Sequence, residues 1–320
     1  MLARVAALVV LTLIASVQAQ AQTWPSRPVT LVVPFAAGVT GDIVARGLAE
    51  YLSGTLGQPF IVENRGGAGG NLGGNVVAKA APDGYTLLLS TTGPASLNKL
   101  TYKNMPYDPQ RDLAPIVLFG KAPVIITARN SLPAHTLKEF VEYAKQSPGK
   151  ITAGYPGNGT QGHITGELLQ QRAGISFAQT QYRGSPAIIT DILGEQIDIG
   201  MDSLAPYVAL IQEKKLRGLA IAGAKRWRLL PDVPTTAESG LPGLEAAVWY
   251  ALLAPTGTAP EIIARLNAAG NAYLKTKAAE ELFERLGIEA AGGTPQELKD
   301  FVAAELEKWS PIIKAAKIEF

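Results

Sequence analysis

Two loops hold the residues best suited to chemistry. The first, Phe35-Ala36-Ala37-Gly38-Val39-Thr40-Gly41-Asp42, follows a β-branched apolar run that begins at Val29 and stops at Pro34. It leads into a segment with Ile43, Val44, Leu48, Tyr51 and Leu52 on one helical face. Side chains this small leave backbone N–H groups uncovered where strand feeds helix, and the helix dipole points to the same place, so the turn suits an anion. The second loop, Gly157-Asn158-Gly159-Thr160, repeats that logic. Its glycines let backbone approach a ligand, Asn158 can donate and accept, and Thr160 is placed to cap the next helix. Two such N-termini facing one cleft would grip a carboxylate from both sides.

Other groups stand near these loops in the sequence. Thr91 and Thr92 end a strand in a polar turn, and His163 lies one helical turn before Glu167. Tyr182-Arg183-Gly184 puts an aromatic ring and a cation at a strand end, and Asp202 follows another strand. Each has a plainer structural alternative. The loops can be tight βα turns, His163 a first-turn helix residue, Arg183 a snorkelling surface cation and Asp202 a helix cap.

Much familiar chemistry is excluded. The chain has no cysteine, so it offers no disulfide, thiolate nucleophile or Cys-ligated metal. Its two histidines, His135 and His163, lie too far apart to form a metal motif, and no metal or cofactor is expected. The glycines from Gly66 to Gly74 miss the dinucleotide spacing, because Leu72 stands three residues beyond Gly69. Neither a P-loop nor a GxSxG elbow occurs. A net charge of 29 − 27 = +2 argues against nucleic acid and against a membrane-surface role.

Residues 1–21 read as a secretory signal peptide. Arg4 precedes an uncharged apolar stretch too short to span a membrane, and Val17-Gln18-Ala19 and Ala19-Gln20-Ala21 fit cleavage sites. Beyond it, strand-like runs alternate with helix-like ones, which predicts an α/β fold with helices on both faces of a parallel or mixed sheet. Strands are expected over 29–33, 59–63, 85–90, 116–119, 124–128, 151–154, 177–181, 197–201, 219–222 and 249–254. Thr258-Ala259-Pro260-Glu261 and Thr294-Pro295-Gln296-Glu297 both have the form of capping boxes.

Together these segments resemble the Bug family of bacterial extracytoplasmic solute receptors. The resemblance rests on Trp24-Pro25-Ser26-Arg27-Pro28-Val29, Pro34-Phe35-Ala36-Ala37-Gly38, Asp42 and Glu63-Asn64-Arg65-Gly66-Gly67-Ala68-Gly69-Gly70. Ala81-Pro82-Asp83-Gly84-Tyr85-Thr86-Leu87, Tyr182-Arg183-Gly184, Leu230-Pro231-Asp232-Val233-Pro234-Thr235 and Ala254-Pro255-Thr256-Gly257-Thr258 extend it over the mature chain. It implies a two-lobed, Venus-flytrap periplasmic binding protein that closes on a small carboxylate and serves integral-membrane permease subunits. The carboxylate would be held by Phe35 to Asp42 and Gly157 to Thr160, partly through water. Val39 departs from the family pattern, which usually has glycine there. The expected lobes are 22–122 with 246–320, and 123–245, in a monomer with no catalytic activity. An ABC-type receptor, a secreted α/β enzyme acting on a carboxylate or ester, and a sensory receptor feeding a signalling partner remain as alternatives.

Overall fold

The structure is a computed structural model that describes residues 24–315 and 317–319. The signal-peptide segment lies outside those residues. The chain first forms β1 (Val29–Val33), α1 (Thr40–Leu56), β2 (Phe60–Asn64), α2 (Asn71–Ala78) and β3 (Thr86–Thr91). Next come a helical turn at Gly93–Leu97, the long strand β4 (Leu113–Ala128), α3 (Leu137–Gln146), β5 (Ile151–Tyr155) and α4 (Gln161–Ala173). Then follow β6 (Phe177–Gln181), α5 (Ser185–Leu193), β7 (Ile199–Ser203) and β8 (Arg217–Ile221). The last elements are β9 (Ala247–Pro255), α6 (Pro260–Tyr273), α7 (Lys277–Arg285), β10 (Glu289–Ala290) and α8 (Pro295–Ala315).

The strands run in the order β2-β1-β3-β9-β4-β7-β5-β6, with β8 and β10 also paired to β4. Pairing is parallel for β1 with β2 and β3, and for β5 with β6 and β7, while β9 and β4 pair antiparallel with their neighbours. Strand β4 serves two sheets. It pairs with β9 from Leu113 to Pro123, then with β7 and β8 from Val124 to Ala128. The sequence suggests two strands over this stretch, because Gly120 and Pro123 interrupt the apolar runs. Register shifts near Pro115 and Leu118 absorb the irregular residues. Pro123, which has no N–H to donate, falls where β4 exchanges partners.

Both sheets are covered on both faces. In the first, Val29, Leu31 and Val33 face α1, α6 and α7, while Val32 and Leu88 face the side closed by α2 and Leu298 of α8. In the second, Ile126, Ile151 and Ala153 pack with α3 and α4, and Ile125 packs with Ile188 and Ile192 of α5. Helix α8 belongs to both. Phe301 stacks edge-on against Trp249 at 5.6 Å, and Trp309 and Ile313 are buried in the second core. This is the expected mixed α/β arrangement. Of the two capping boxes, the one at Thr294 forms, with Glu297 N–H donating to Thr294 Oγ1 and Thr294 N–H donating to Glu297 Oε2. The other does not: Thr258 Oγ1 donates back to Pro255 O, and α6 starts uncapped behind Ala259.

Candidate functional site

Between the two sheets lies a cavity of about 70 Å³, room for a few water-sized spheres. Its wall is made where parallel strands end and helices begin, the usual ligand position in open α/β sheets. The first sheet contributes Phe35, Val39, Thr40 and Gly41 after β1, Thr91, Thr92 and Gly93 at the end of β3, and Val248 and Tyr250 from β9. The second contributes Pro156, Thr160, Gln161 and Gly162 after β5, Gly184 and Ser185 after β6, and Asp202 and Ser203 at the end of β7.

Three helices, α1, α4 and α5, start at this cavity, and none has a side-chain cap. Val39 occupies the N-cap of α1 at φ −78°, an extended conformation open to any residue, and valine offers no oxygen to accept the first N–H groups. Thr160 occupies the N-cap of α4, but its hydroxyl donates back to Gly157 O at 2.7 Å. Gly184 caps α5 with no side chain at all. In α1 and α4 the ladders begin at Ile43 and Ile164, so the N–H groups of Thr40 and Gly41, and of Gln161 and Gly162, precede them. Elsewhere α3, α7 and α8 have side-chain caps, with Thr136 accepting from Glu139 N–H in α3 and Thr276 from Ala279 N–H in α7, while α2 and α6 start without one. The cavity therefore collects positive helix ends, and no lysine, arginine or histidine is among the described residues that line it.

The ionisable carboxyl in the wall is Asp202, 5 % exposed. Ser185 Oγ–H donates to it at 2.5 Å and Ser203 N–H at 2.6 Å. Burial pushes its pKa up to about 6 despite those donors. The phenols of Tyr207 and Tyr250 are raised as well, by burial first and then by the Asp202 charge, and stay neutral. Gln161, 2 % exposed, has neither its side-chain oxygen nor its nitrogen paired within the protein.

Eight of the residues singled out in the sequence line this cavity: Phe35, Thr40, Gly41, Thr91, Thr92, Thr160, Gly184 and Asp202. The other ten lie behind it or away from it. Ala36, Ala37 and Gly38 are exposed on the outer side of the first loop. Asp42 holds that loop in shape, accepting from Gly38 N–H, Arg46 Nε and Asn64 Nδ2. Burial raises its pKa, but these three donors outweigh that and keep it below the usual carboxylate range.

Gly157, Asn158 and Gly159 are not among the residues that line the cavity. Asn158 O accepts from Tyr102 Oη, and Gly159 N–H donates to His163 Nδ1 at 3.3 Å. The other ring nitrogen of His163 meets Gln179 Oε1 at 3.0 Å and Glu167 Oε1 at 3.6 Å, so the imidazole braces the loop from behind. Tyr182 Oη donates to Asp191 Oδ2, and burial with that bond pushes the phenol up to about 12. Arg183, next along the chain, is exposed.

Two Ser-x-x-Lys spacings occur, and neither builds a nucleophile and base at the cavity. Ser96 is buried and donates to Thr92 O, whereas Lys99 pairs with Asp108; Ser147 and Lys150 lie in the turn after α3. Reading the sequence alone misses Gln161, Gly162, Ser185, Ser203 and Val248. For Gln161 and Ser185 a signal exists, since each directly follows a loop already picked out. Trp249-Tyr250, an aromatic pair leading a strand, suits either the cleft wall or the core, and Tyr250 lines the cavity where strand order brings β9 beside β3.

Residues 44–318 match the family model described as the tripartite tricarboxylate transporter family receptor. The chain is 36 % identical over 295 residues to Protein BugT of Bordetella pertussis, covering 92 % of this chain and 90 % of BugT. It also superposes on Rpa4515 of R. palustris, solved with adipate, at TM-score 0.89 and 36 % identity, covering 93 % of this chain and all of that one. MatC (Rpa3494) of Rhodopseudomonas palustris, solved with malate, superposes at TM-score 0.86 and 32 % identity, covering 91 % and 100 %. Uncapped helix starts around one interlobe cavity, in a chain that matches this family from Val44 to Ile318, make the protein a member of the tripartite tricarboxylate transporter receptor family with the two-lobed periplasmic-binding-protein fold.

Proposed function

We propose that the protein is a periplasmic receptor that encloses a small carboxylate between its lobes and delivers it to integral-membrane permease subunits. In this reading residues 1–21 direct export, and the mature chain acts as a monomer without catalysis. The lobes are 22–122 with 246–320, and 123–245, and they close about the β4 and β9 crossings, with the far half of α8 resting on the second lobe. The observation that carries the reading is the convergence of three uncapped helix N-termini on one cavity between the two sheets. Anionic groups suit such a place, and relatives of the same fold hold adipate and malate.

A thermal-shift screen of small carboxylates, with the corresponding amides as controls, tests this. A ligand at 100 times its Kd adds about 2.7 kcal/mol to stability. A panel in which amides stabilise as well as acids, or in which no acid does, would overturn the proposal. Val39→Asp gives a sharper check. An aspartate at the N-cap would accept the first N–H groups of α1 itself, which is worth about 1 kcal/mol to the fold. It would also place a negative charge on the cavity wall. The variant is therefore expected to melt no lower than the parent while binding the best acid at least tenfold more weakly.

A further inference from the structure

We propose that Asp202 sets the class of ligand: the acid this cavity takes also carries a hydrogen-bond donor, a hydroxyl or an ammonium, placed against the Asp202 carboxylate. The inference rests on the carboxylate reading above and goes further, because it divides carboxylic acids into those the site accepts at neutral pH and those it resists.

Three observations point the same way. The helix starts supply N–H groups for one anionic group, yet the wall also holds a buried acid with no lysine, arginine or histidine in the described lining to balance it. A second ionised carboxylate reaching Asp202 would meet a like charge in a dry place, and a dianion can avoid that only by retaining a proton. Asp202 also keeps room for a partner. A carboxylate offers about four lone-pair positions, and the hydrogen bonds it accepts within the protein are two, from Ser185 Oγ–H at Oδ2 and from Ser203 N–H at Oδ1. Finally, the buried Gln161 amide leaves a donor and an acceptor unpaired in the same wall. A ligand group that donates to Asp202 and meets Gln161 satisfies both at once. The groups facing Asp202 are Ser185 from α5, Ser203, Tyr207 from the turn after β7 and Tyr250 from β9; of these the two phenols titrate, and both stay neutral.

The experiment is calorimetric titration of the ligand-free, refolded full chain with matched acids at pH 8. Propionate, lactate and alanine form one set; succinate, malate and aspartate form the other. Within at least one set the hydroxy or amino acid is expected to bind at least tenfold tighter than the unsubstituted parent. The hydroxy and amino arms tell which donor is preferred. Asp202→Asn, which keeps the shape and removes the charge, is expected to shrink that gap and to strengthen succinate at least tenfold. Should the variant fold poorly, succinate binding to the wild-type protein is expected to strengthen at least tenfold from pH 8 to pH 5. Parent and substituted acids binding within twofold of each other at pH 8, or succinate insensitive to pH, would overturn the inference while leaving the carboxylate reading intact. If none of the six acids binds, the carboxylate reading itself fails and the inference falls with it.

Discussion

Trp309→Ala is expected to lower the stability of the whole protein by about 3–5 kcal/mol, the range for emptying a large aromatic site in a core. Trp309 is 1 % exposed and packs in the second core beside Ile313, with Leu306 and Ile312 against it. Its indole N–H is held by Glu305 Oε2 at 3.3 Å. The same helix anchors its first half to the other sheet through Leu298 and Phe301. Losing Trp309 therefore opens a void in one core and loosens the strut joining it to the other. Urea unfolding followed by tryptophan fluorescence and by far-ultraviolet circular dichroism measures the loss. A drop below 1 kcal/mol would mean that the far half of α8 contributes little to the core.

Gly162→Ala is expected to weaken ligand binding by about a hundredfold, comparable to the effect of misplacing a reacting group by an ångström. A Cβ there would lie 2.2 Å from Met201 O and 3.3 Å from Pro156 Cδ. The oxygen belongs to strand backbone, which cannot rotate aside, so the start of α4 must retreat from β7. That retreat draws Thr160 and Gln161 back from the cavity and disturbs the strand end that carries Asp202. Overpacking of this kind also costs about 1–3 kcal/mol of stability. Gly174→Ala separates the two effects. It lies at the opposite end of the same helix, at φ +66° with nothing within 4 Å of a new Cβ. It is expected to cost about 1 kcal/mol through its left-handed backbone and to leave affinity unchanged. Equal affinity in both variants would show that the α4 terminus does not hold the ligand.

The architecture was largely legible because its signals are local. The β-branched runs at Val29 to Val33, Ile151 to Ala153 and Val124 to Ala128 lie in strands, and the small-residue turns after β1 and β5 reach the cavity. The two-residue strand β10 was not legible, since Glu289 and Ala290 carry no periodicity and pair with β4 only because α7 delivers them there. Within the site, residue type misled where a polar group had a second occupation. His163, Tyr182 and Asp42 look like ligand contacts, yet each is engaged in holding a loop or neighbouring helix. Conversely, Val39 looks inert, and its inability to cap α1 is what leaves the N–H groups of that helix open. Val248 becomes visible only when strands from distant parts of the chain are set side by side.

The position of β9 also decides when the molecule can be finished. It lies between β3 and β4, so until residues 247–255 have been synthesised the first sheet has a gap at its centre. Trp309 and Ile313, later still, complete the second core. Synthesis from the N-terminus thus yields two incomplete halves, with long-range pairings that form only when the last quarter of the chain appears. Under the export proposed above, this late closure would keep the polypeptide threadable until it has crossed the membrane.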